Sequence, residues 1–407
     1  MNQVREKAYD LLISGAGIPG ACLALSAARL GLRVALIDRR ETLVKTDDSR
    51  TTAFLPESLQ FLDDLGLMAP IHEAAQPLRI MRLLNDSPPY RDKPRPLDFE
   101  GPEGAPLALN VPNAVLASAL QEALSRPELA LEYFWNTQVT EAKVVAGQAH
   151  LHLDTKPGLT TNLTAPLAVA ADGRESSLRT LLNIGWQDMS PHQTALTARL
   201  RHERPHAGIS SEFHRQSGPM TFVPVAGDGH DCALVWCLRD GVGADVSALS
   251  EAAFRARVQI ASQGILGTIH AVSARGRFPV RPGQAQALAK GPFVLLAEAA
   301  HALPPLLAQG LNLSLTDVRV LANLIKERGL SHATAVPIAA AYATARQGDL
   351  QVRLGISQGL NRFLMQAPAS VQGLYDIGHR GLAALPAARR LAVRLGQRGY
   401  QRPPRPS

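Results

Sequence analysis

The sequence predicts an α/β fold in which a Rossmann-like sheet carries an interleaved β-rich layer and ends in a C-terminal helical segment. Three observations predict this class. A glycine fingerprint lies in a βαβ pattern from Tyr9 to Asp38, and a strand, loop and helix pattern follows far downstream, from Phe293 to Ile325. Between them, residues 193 to 280 alternate as strands do and lack helical spacing.

The first βαβ unit surrounds the turn Gly15 to Gly20. Gly15 permits a tight turn, Gly17 lets the backbone approach a pyrophosphate, and Gly20 lets the helix and the strand pack closely. Asp38 ends the second strand, where a carboxylate accepts hydrogen bonds from an adenosine ribose and disfavours a 2'-phosphate. The complete unit predicts a dinucleotide site, and an ordinary glycine-rich turn is the alternative.

The middle of the chain changes character. Asp86 to Pro106 holds six prolines among polar residues, which predicts a long loop, a lid or a linker. Leu116, Leu120 and Leu124 recur at helical spacing. Short strands are predicted at Ala149 to Leu153, Leu167 to Ala171, Thr194 to Leu200, Met220 to Val225 and Cys232 to Leu238.

The downstream pattern predicts a second nucleotide-contacting turn. Phe293 to Leu296 is an apolar run typical of a buried strand, and the double proline Pro304-Pro305 cannot continue a helix. Leu311 to Ile325 then has helical spacing, with Asp317 and Lys326 expected to point outward. A helix N-terminus stabilises an anion such as a phosphate or a reduced flavin ring. Together with the first fingerprint, this turn predicts a flavin.

Length and composition allow this architecture. The chain has 407 residues, 46% of them hydrophobic, which suits two to three domains with substantial cores. Cys22, Cys232 and Cys237 show neither metal-ligand spacing nor a disulfide framework, so we expect no metal site and a reducing compartment. No apolar stretch reaches the roughly 18 residues of a membrane span, and no signal-peptide pattern precedes the first strand. We therefore expect a cytoplasmic protein.

The C-terminal tail accounts for the net charge of +7. After Asp376 there is no acidic residue, while seven arginines follow: Arg380, Arg389, Arg390, Arg394, Arg398, Arg402 and Arg405. The interleaved apolar residues predict a basic amphipathic helix, which suits either the inner face of an anionic membrane or an acidic partner. A solvated helix packed on its own domain explains the pattern equally well. No nucleic-acid-binding module is recognisable, so nucleic acid is not an expected partner.

The chain resembles the FAD-dependent aromatic hydroxylases of the p-hydroxybenzoate hydroxylase superfamily, and most closely their ubiquinone-biosynthesis branch. The superfamily resemblance rests on four blocks in order: Gly15 to Gly20, Asp48 to Leu67, Asp172-Gly173, and Ala299 to Asp317. The branch resemblance rests on four further segments: His202 to His206, Ser211 to Phe213, Gly218-Pro219, and Arg346 to Phe363.

The resemblance implies how this chain binds the adenosine and phosphate parts of FAD. The three fingerprint glycines would meet the pyrophosphate, Asp38 would bind the ribose, and Arg50 would lie along the phosphoribityl side. The planar fork of an arginine suits that task because it holds two oxygens at once. Asp172 and Gly173 would form a turn near the pyrophosphate, where the reduced nicotinamide cofactor also approaches. For Asp172 the alternative is an Asx turn that caps the next helix.

The resemblance also implies the flavin surroundings. Pro305, Gly310, Leu311 and Asn312 would line the isoalloxazine, and the helix start would point at the N1 and C2 carbonyl edge, where charge builds on reduction. No side chain emerges as an acid or base from the sequence. His301 is the candidate proton carrier beside this loop, but a buried histidine that orients the loop is an equal alternative.

Three departures from the family pattern fall near the flavin. Ala297-Glu298 replaces Gly-Asp, Ala308 replaces the first glycine of Gly-Gln-Gly, and Ala114 replaces an arginine that follows an asparagine in many relatives. Glu298 keeps a carboxylate that reaches toward a ribityl hydroxyl. If Ala308 needs a positive φ, the penalty is about 1 kcal/mol. These departures predict weakened FAD binding.

The activity implied by the resemblance is hydroxylation of a phenolic ring, with O2 and NAD(P)H as co-substrates and a prenylated ubiquinone precursor as the substrate class. Two alternatives remain open on the sequence. The departures at the flavin would also suit a non-catalytic scaffold in a quinone-biosynthesis assembly. A flavin oxidoreductase without oxygen insertion shares the same fold.

The expected domain division is discontinuous. Residues 1–75, 107–185 and 285–345 form the FAD-binding domain, and residues 76–106 and 186–284 form the β-rich substrate domain. Residues 346–407 form the C-terminal helical segment with its basic tail.

Overall fold

The computed structural model describes residues 3–43, 48–85, 96–101, 104–156, 159–190, 192–215, 217–304 and 309–366. A parallel sheet forms the base of the fold. Its order is β22-β23-β13-β2-β3-β9, in which only β22 runs antiparallel to its neighbour. The strands are β2 (Leu11–Ser14), β3 (Val34–Ile37), β9 (Leu131–Phe134), β13 (Leu167–Ala170), β22 (Ala289–Lys290) and β23 (Phe293–Leu295).

A large mixed sheet forms the β-rich layer. Its order is β19-β15-β18-β17-β16-β6-β7, and β20 also pairs with β15. The strands are β6 (Ile80–Asn85), β7 (Pro96–Glu100), β15 (Gln193–His202), β16 (Ile209–His214), β17 (Met220–Pro224), β18 (Asp231–Arg239), β19 (Ile269–Val272) and β20 (Gly276–Val280).

Three smaller sheets complete the strand content of the described residues. Their orders are β1-β12-β11-β10, β4-β8-β5 and β14-β21-β24. The strands are β1 (Gln3–Ala8), β4 (Thr51–Phe54), β5 (Gln76–Leu78), β8 (Ala108–Pro112), β10 (Gln138–Val145), β11 (Gln148–Lys156), β12 (Leu159–Ala165), β14 (Trp186–Asp188), β21 (Gly283–Ala285) and β24 (His301–Ala302).

The helices cover both sheets. They are α1 (Ile18–Arg29), α2 (Pro56–Asp64), α3 (Met68–Ala74), α4 (Asn113–Leu124), α5 (Ser177–Leu181), α6 (Asp240–Ala248), α7 (Glu251–Ala261), α8 (Gln309–Arg328) and α9 (Ala335–Gln366). None of the described helices combines the length and the apolar character that crossing a membrane requires.

Two large hydrophobic clusters hold the molecule together. The first joins the parallel sheet to α1, α4, α8 and the start of α9. The second packs one face of the β-rich sheet against α6 and α7. The expected boundary between residues 345 and 346 falls inside the continuous helix α9. The discontinuous domain division otherwise stays a prediction.

Within the described residues the elements predicted from spacing are present, including the buried strand β23 and the helix α8. The amphipathic helix predicted in the tail lies outside them. Two expectations are wrong. Pro96–Glu100, inside the expected loop, forms the edge strand β7, where a proline at the first position costs no ladder hydrogen bond. Asp317 does not point outward but is fully buried, whereas Lys326 is exposed as expected.

Candidate active site

Four of the predicted motifs come together at one edge of the parallel sheet. Gly15 follows β2, Asp38 follows β3, Asp172 closely follows β13, and Glu298 closely follows β23. These four strands are parallel neighbours, so their carboxyl ends meet at the same edge. In open α/β sheets, ligands bind in the crevice outside this edge. The structure therefore places the adenosine-side and flavin-side motifs around one crevice.

The three fingerprint glycines have different tasks. A β-carbon at Gly15, whose φ is +106°, would lie 2.2 Å from the carbonyl oxygen of Ala171, and one at Gly20 would lie 1.9 Å from the Gly15 carbonyl oxygen. These two glycines therefore allow the chain itself to pack. A β-carbon at Gly17 would meet nothing closer than Pro19 Cδ at 3.8 Å. Gly17 leaves open space at the start of α1, as a pyrophosphate cradle requires.

Asp38 is buried and already accepts several hydrogen bonds. Ala16 N–H donates to Oδ2 at 2.6 Å, and Arg40 donates through its backbone N, Nε and Nη2 at 2.8 to 2.9 Å. Burial alone would raise the pKa of Asp38, but the Arg40 and Ala16 hydrogen bonds outweigh it and hold the pKa below its ordinary value. The carboxylate is ionised, and a ribose must share it with Arg40 or displace that side chain. The sequence analysis missed Arg40.

Arg50 lies at the rim of the crevice. Its guanidinium forms a two-pronged pair with Asp48, Nε to Oδ1 and Nη2 to Oδ2, both at 2.7 Å. It also lies 5.8 Å from the centre of the exposed Phe278 ring on β20. The Asp48 hydrogen bond raises the pKa of Arg50, and Glu298 adds a smaller electrostatic contribution. The exposed Glu298 and Arg50 are therefore electrostatic neighbours.

Asp172 helps to cap the next helix, α5, but forms no Asx turn, because the N-cap residue is Ser176 and the contact of Asp172 is to Leu178, six residues on. Its Oδ2 accepts a hydrogen bond from Leu178 N–H at 3.2 Å, while its buried Oδ1 has no partner among the described residues. Burial raises the pKa of Asp172, and hydrogen bonds, led by the one to Ser176, partly offset the rise. Gly173 follows with a φ of +86° and open space beside its α-carbon. The Asp172 side chain is thus bonded to the next helix, whereas Gly173 adjoins open space.

Arg179 connects this turn to the downstream motif. Its Nη2 donates to the Arg174 carbonyl oxygen at 2.8 Å and its Nη1 to the Ala299 carbonyl oxygen at 3.0 Å. The guanidinium also lies 4.5 Å from the ring centre of Trp186. No sequence pattern points to Arg179, because its two carbonyl partners are far apart along the chain.

Ala297 is where the backbone is strained. Its φ is +54°, in the left-handed region where glycine is free and an L side chain is not. This is the alanine that replaces the glycine of the family pattern. The strain expected at Ala308 falls outside the described residues, as does Pro305.

The start of α8 is fastened to β4, the strand that follows Arg50. Asn312 Oδ1 accepts from Leu55 N–H at 2.9 Å, and its Nδ2 donates to the Ala53 carbonyl oxygen at 2.8 Å. The Asn312 side chain therefore positions the helix, and its amide is not free for a ligand. Gly310 has open space beside its α-carbon, and Leu311 packs against the core.

His301 is buried directly before residues 303–308, the segment that the resemblance identifies as the flavin loop. Its Nε2 lies 2.6 Å from Asp317 Oδ2, and its Nδ1 has no partner among the described residues. Because a carboxylate accepts, Nε2 carries the hydrogen in this pair. The contact fits the alternative that His301 orients the loop. Helical spacing itself could have found Asp317, since it lies four and eight residues before the core residues Leu321 and Ile325.

A second buried polar pair lies in the β-rich layer. His214 Nε2 lies 2.8 Å from Glu212 Oε1, and both side chains are almost fully buried. Thr221 hydroxyl donates to Glu212 Oε2 at 3.4 Å. The structure therefore places His214 inside the β-rich layer.

The pair shares a face of the sheet with the residue that touches Arg50. Residues directly opposite in an antiparallel ladder point to the same side. Glu212 and Thr197 are joined by such pairings across β16, β17, β18 and β15. Ala195, two residues from Thr197, stands opposite Phe278. Glu212 therefore lies on the face that Phe278 turns toward Arg50, away from α6 and α7.

The comparisons with known proteins agree with this geometry. The FAD binding domain family matches residues 8–336. The chain belongs to this family. It is 28% identical over 400 residues to ubiquinone hydroxylase UbiL of Rhodospirillum rubrum, covering 96% of this chain and 89% of that protein. It is 26% identical to the 3-demethoxyubiquinol 3-hydroxylase of Escherichia coli, covering 84% and 86%.

Solved structures support the fold. The p-nitrophenol 4-monooxygenase PnpA of Pseudomonas putida superposes with a TM-score of 0.76 at 15% identity, covering 98% of this chain and all of that one. The predicted superfamily and fold class are confirmed, and FAD is the cofactor, as the sequence analysis expected. The open space at Gly17 and the ionised Asp38 fit that cofactor.

Proposed function

We propose that this protein is an FAD-dependent monooxygenase that hydroxylates a phenolic ring, with O2 and NAD(P)H as co-substrates and a prenylated ubiquinone precursor as the substrate. One observation carries the proposal: four motifs of a flavin site follow four neighbouring parallel strands and open onto one crevice, beside a sheet face that carries its own polar pair. The names of the two ubiquinone-pathway relatives give the substrate class.

In this proposal the crevice residues divide the cofactor between them. Gly17 holds the pyrophosphate at the start of α1, where backbone N–H groups and the helix dipole favour anions. Asp38 accepts hydrogen bonds from the ribose hydroxyls, either alongside Arg40 or after the Arg40 side chain has moved away. Arg50 lies along the phosphoribityl side, and the N-terminus of α8, beginning at Gln309, stabilises the flavin edge that gains charge on reduction.

Bound FAD supplies the redox chemistry, because it accepts a hydride from the nicotinamide cofactor and activates O2 for insertion into the ring. The protein holds the ring against the cofactor and keeps water out. Glu212, supported by His214 and Thr221, is the polar group we assign to the phenolic hydroxyl, since it lies on the sheet face turned toward Arg50. A carboxylate there accepts a hydrogen bond from the phenolic hydroxyl, which makes the ring more electron-rich.

The tail extends the proposal to the membrane. A prenylated substrate resides in a lipid phase, and the arginine-rich residues 377–407 suit an anionic surface. These residues lie outside the described part of the chain. In a flotation experiment with vesicles of anionic lipid, a full-length variant with Arg389, Arg390, Arg394 and Arg398 changed to Ser should stay behind while the parent floats.

The test of the activity is direct. The protein is loaded with FAD, freed of excess by gel filtration, and mixed with NADH or NADPH and a short-chain 2-prenylphenol. We expect faster cofactor oxidation and a product heavier by one oxygen atom in the mass spectrum. Oxidation with peroxide and no hydroxylated product would favour the oxidoreductase alternative. A colourless protein that cannot be loaded would favour the scaffold.

A further inference from the structure

Asp317 is a buried carboxylate at which several parts of the flavin site meet. Its Oδ2 accepts from His301 Nε2 at 2.6 Å and from Ala297 N–H at 3.0 Å, and its Oδ1 accepts from Arg346 Nε at 2.6 Å. The side chains of Asp317 and Arg346 are fully buried, and that of His301 nearly so. The donors come from three separate segments: the turn after β23, the strand β24 and the helix α9.

These contacts link the described residues on either side of the flavin loop, residues 303–308. His301 lies just before the loop, and Asp317 lies on α8, the helix that follows it. The bond between them therefore joins the two ends of the loop. The same carboxylate holds the N–H of Ala297, whose left-handed backbone persists only where surrounding contacts fix it.

Arg346 supplies the charge that this arrangement needs. Burial alone would raise the pKa of Asp317, but the charges and hydrogen bonds of His301 and Arg346 outweigh it and keep the pKa below its ordinary value. Arg346 is held in turn by Asp349, whose Oδ2 lies 2.5 Å from Nη1, and Asp349 also binds Arg353 at 2.9 Å. The ionised state of Asp317 thus depends on Arg346, which lies on α9, as well as on His301.

We propose that Arg346 is a positioning residue for the flavin. By pairing with Asp317 it fixes the described residues on either side of the flavin loop and sets the local charge of the flavin site. The proposal rests on FAD binding at this loop and not on the identity of the substrate. A network of this kind has two consequences that can be separated. It fixes the loop, so its loss weakens FAD binding. It also carries charge, so its variants shift the reduction potential of bound FAD in a direction set by the sign of the charge removed.

The experiment compares Arg346→Met with Asp317→Asn. Removing the cation leaves Asp317 unbalanced near the flavin, which disfavours the electron-rich reduced form, and removing the anion does the reverse. We expect Arg346→Met to weaken reduced FAD binding about tenfold relative to oxidised, a fall of about 30 mV for a two-electron couple. Asp317→Asn should raise the potential by a comparable amount. Both should bind oxidised FAD more weakly than the parent.

Arg346→Lys and Arg353→Met are the controls. The lysine keeps the charge, so the potential should return toward that of the parent even where affinity does not. Arg353→Met removes a guanidinium from the same helix that pairs with Asp349 and not with Asp317, so it should leave the reduction potential of bound FAD unchanged. Potentials that move in the same direction for Arg346→Met and Asp317→Asn, or do not move, overturn the proposal and leave a purely structural network.

The readouts separate this inference from the proposed activity. Flavin affinity and potential are measured without a phenolic substrate, so a failure to hydroxylate any phenol would not affect them. If Arg346→Met does not fold, Asp317→Asn, which preserves side-chain volume, decides the direction alone. An unchanged or lowered potential in that variant overturns the proposal.

Discussion

The left-handed backbone of Ala297 predicts that glycine is better tolerated there than at a matched neighbour. Ala297 has a φ of +54°, whereas Ala300, in the same turn, has a φ of −94°. Both side chains are buried, at 4% and 0% exposure. The variants Ala297→Gly and Ala300→Gly therefore remove the same methyl group from similar surroundings but differ in the backbone conformation they leave behind.

The magnitude follows from the difference between the two variants. Each loses a buried methyl, at about 0.8 kcal/mol, and each gains glycine freedom in the unfolded chain, at about 0.5–1 kcal/mol. Only Ala297→Gly also relieves the β-carbon clash of the left-handed region, which costs about 1–2 kcal/mol. Ala300→Gly should thus lose about 1–2 kcal/mol of unfolding free energy, while Ala297→Gly should stay within about 0.8 kcal/mol of the parent.

Urea unfolding of the protein without added FAD, followed by tryptophan fluorescence, measures both values under one set of conditions. The expected gap between the variants is about 1–2 kcal/mol. Equal losses in the two variants would refute the reasoning, because they would mean that the backbone of Ala297 carries no strain for glycine to relieve.

Gly17→Val should fold normally, because the space beside Gly17 is open and its φ is −64°, yet it should lose most FAD binding. Gly20→Val should fail to fold, because its β-carbon would meet the Gly15 carbonyl oxygen. Normal flavin occupancy in Gly17→Val would contradict the pyrophosphate cradle. Burial lowers the pKa of His202 and His206. As the pH falls, these histidines therefore become protonated in the unfolded chain before they do so in the folded protein. Stability should be full above about pH 6.5 and fall below it by up to about 1.4 kcal/mol per pH unit and imidazole. Urea midpoints at pH 7.5 and 5.5 should differ less in His206→Asn, and an unchanged difference would count against this. Glu212→Gln should lower kcat for hydroxylation about 100-fold without changing FAD affinity, and an unaltered kcat would remove Glu212 from the mechanism.

Local patterns predicted the parts of the site that local physics determines. The glycines of the first turn, the buried strand β23 and the helix α8 each depend on neighbours in sequence, so their spacing was sufficient. The spacing of the fingerprint was sufficient for Asp38 at the end of β3. Glu298 was assigned only by resemblance to the family pattern.

Long-range contacts were beyond that reasoning. Asp317 was expected to face solvent, and its burial is stabilised by His301 and by Arg346 on another helix, contacts that the sequence pattern does not show. The contact of Arg40 with Asp38 is local, since the residues are two positions apart, but no spacing rule describes such a bidentate pair. Strand β7 pairs with β6 over five residues, buries Leu97 and is bridged to β6 by Arg82 and Asp98, with Nη2 to Oδ2 at 2.7 Å. The proline-rich composition of the segment outweighed that pairing in the sequence.

The order of strands in the parallel sheet has a consequence for biosynthesis. β13 occupies the position between β2 and β23, so the crevice closes only when Phe293–Leu295 pairs with Leu167–Ala170. A ribosome must therefore deliver about three-quarters of the polypeptide before a complete cofactor site exists, and the helix that carries Arg346 emerges later still. Pairings over such separations form slowly because loop closure precedes any contact energy. Incomplete translation products of this chain should be colourless, and the appearance of flavin absorbance during synthesis reports that the last strand has docked.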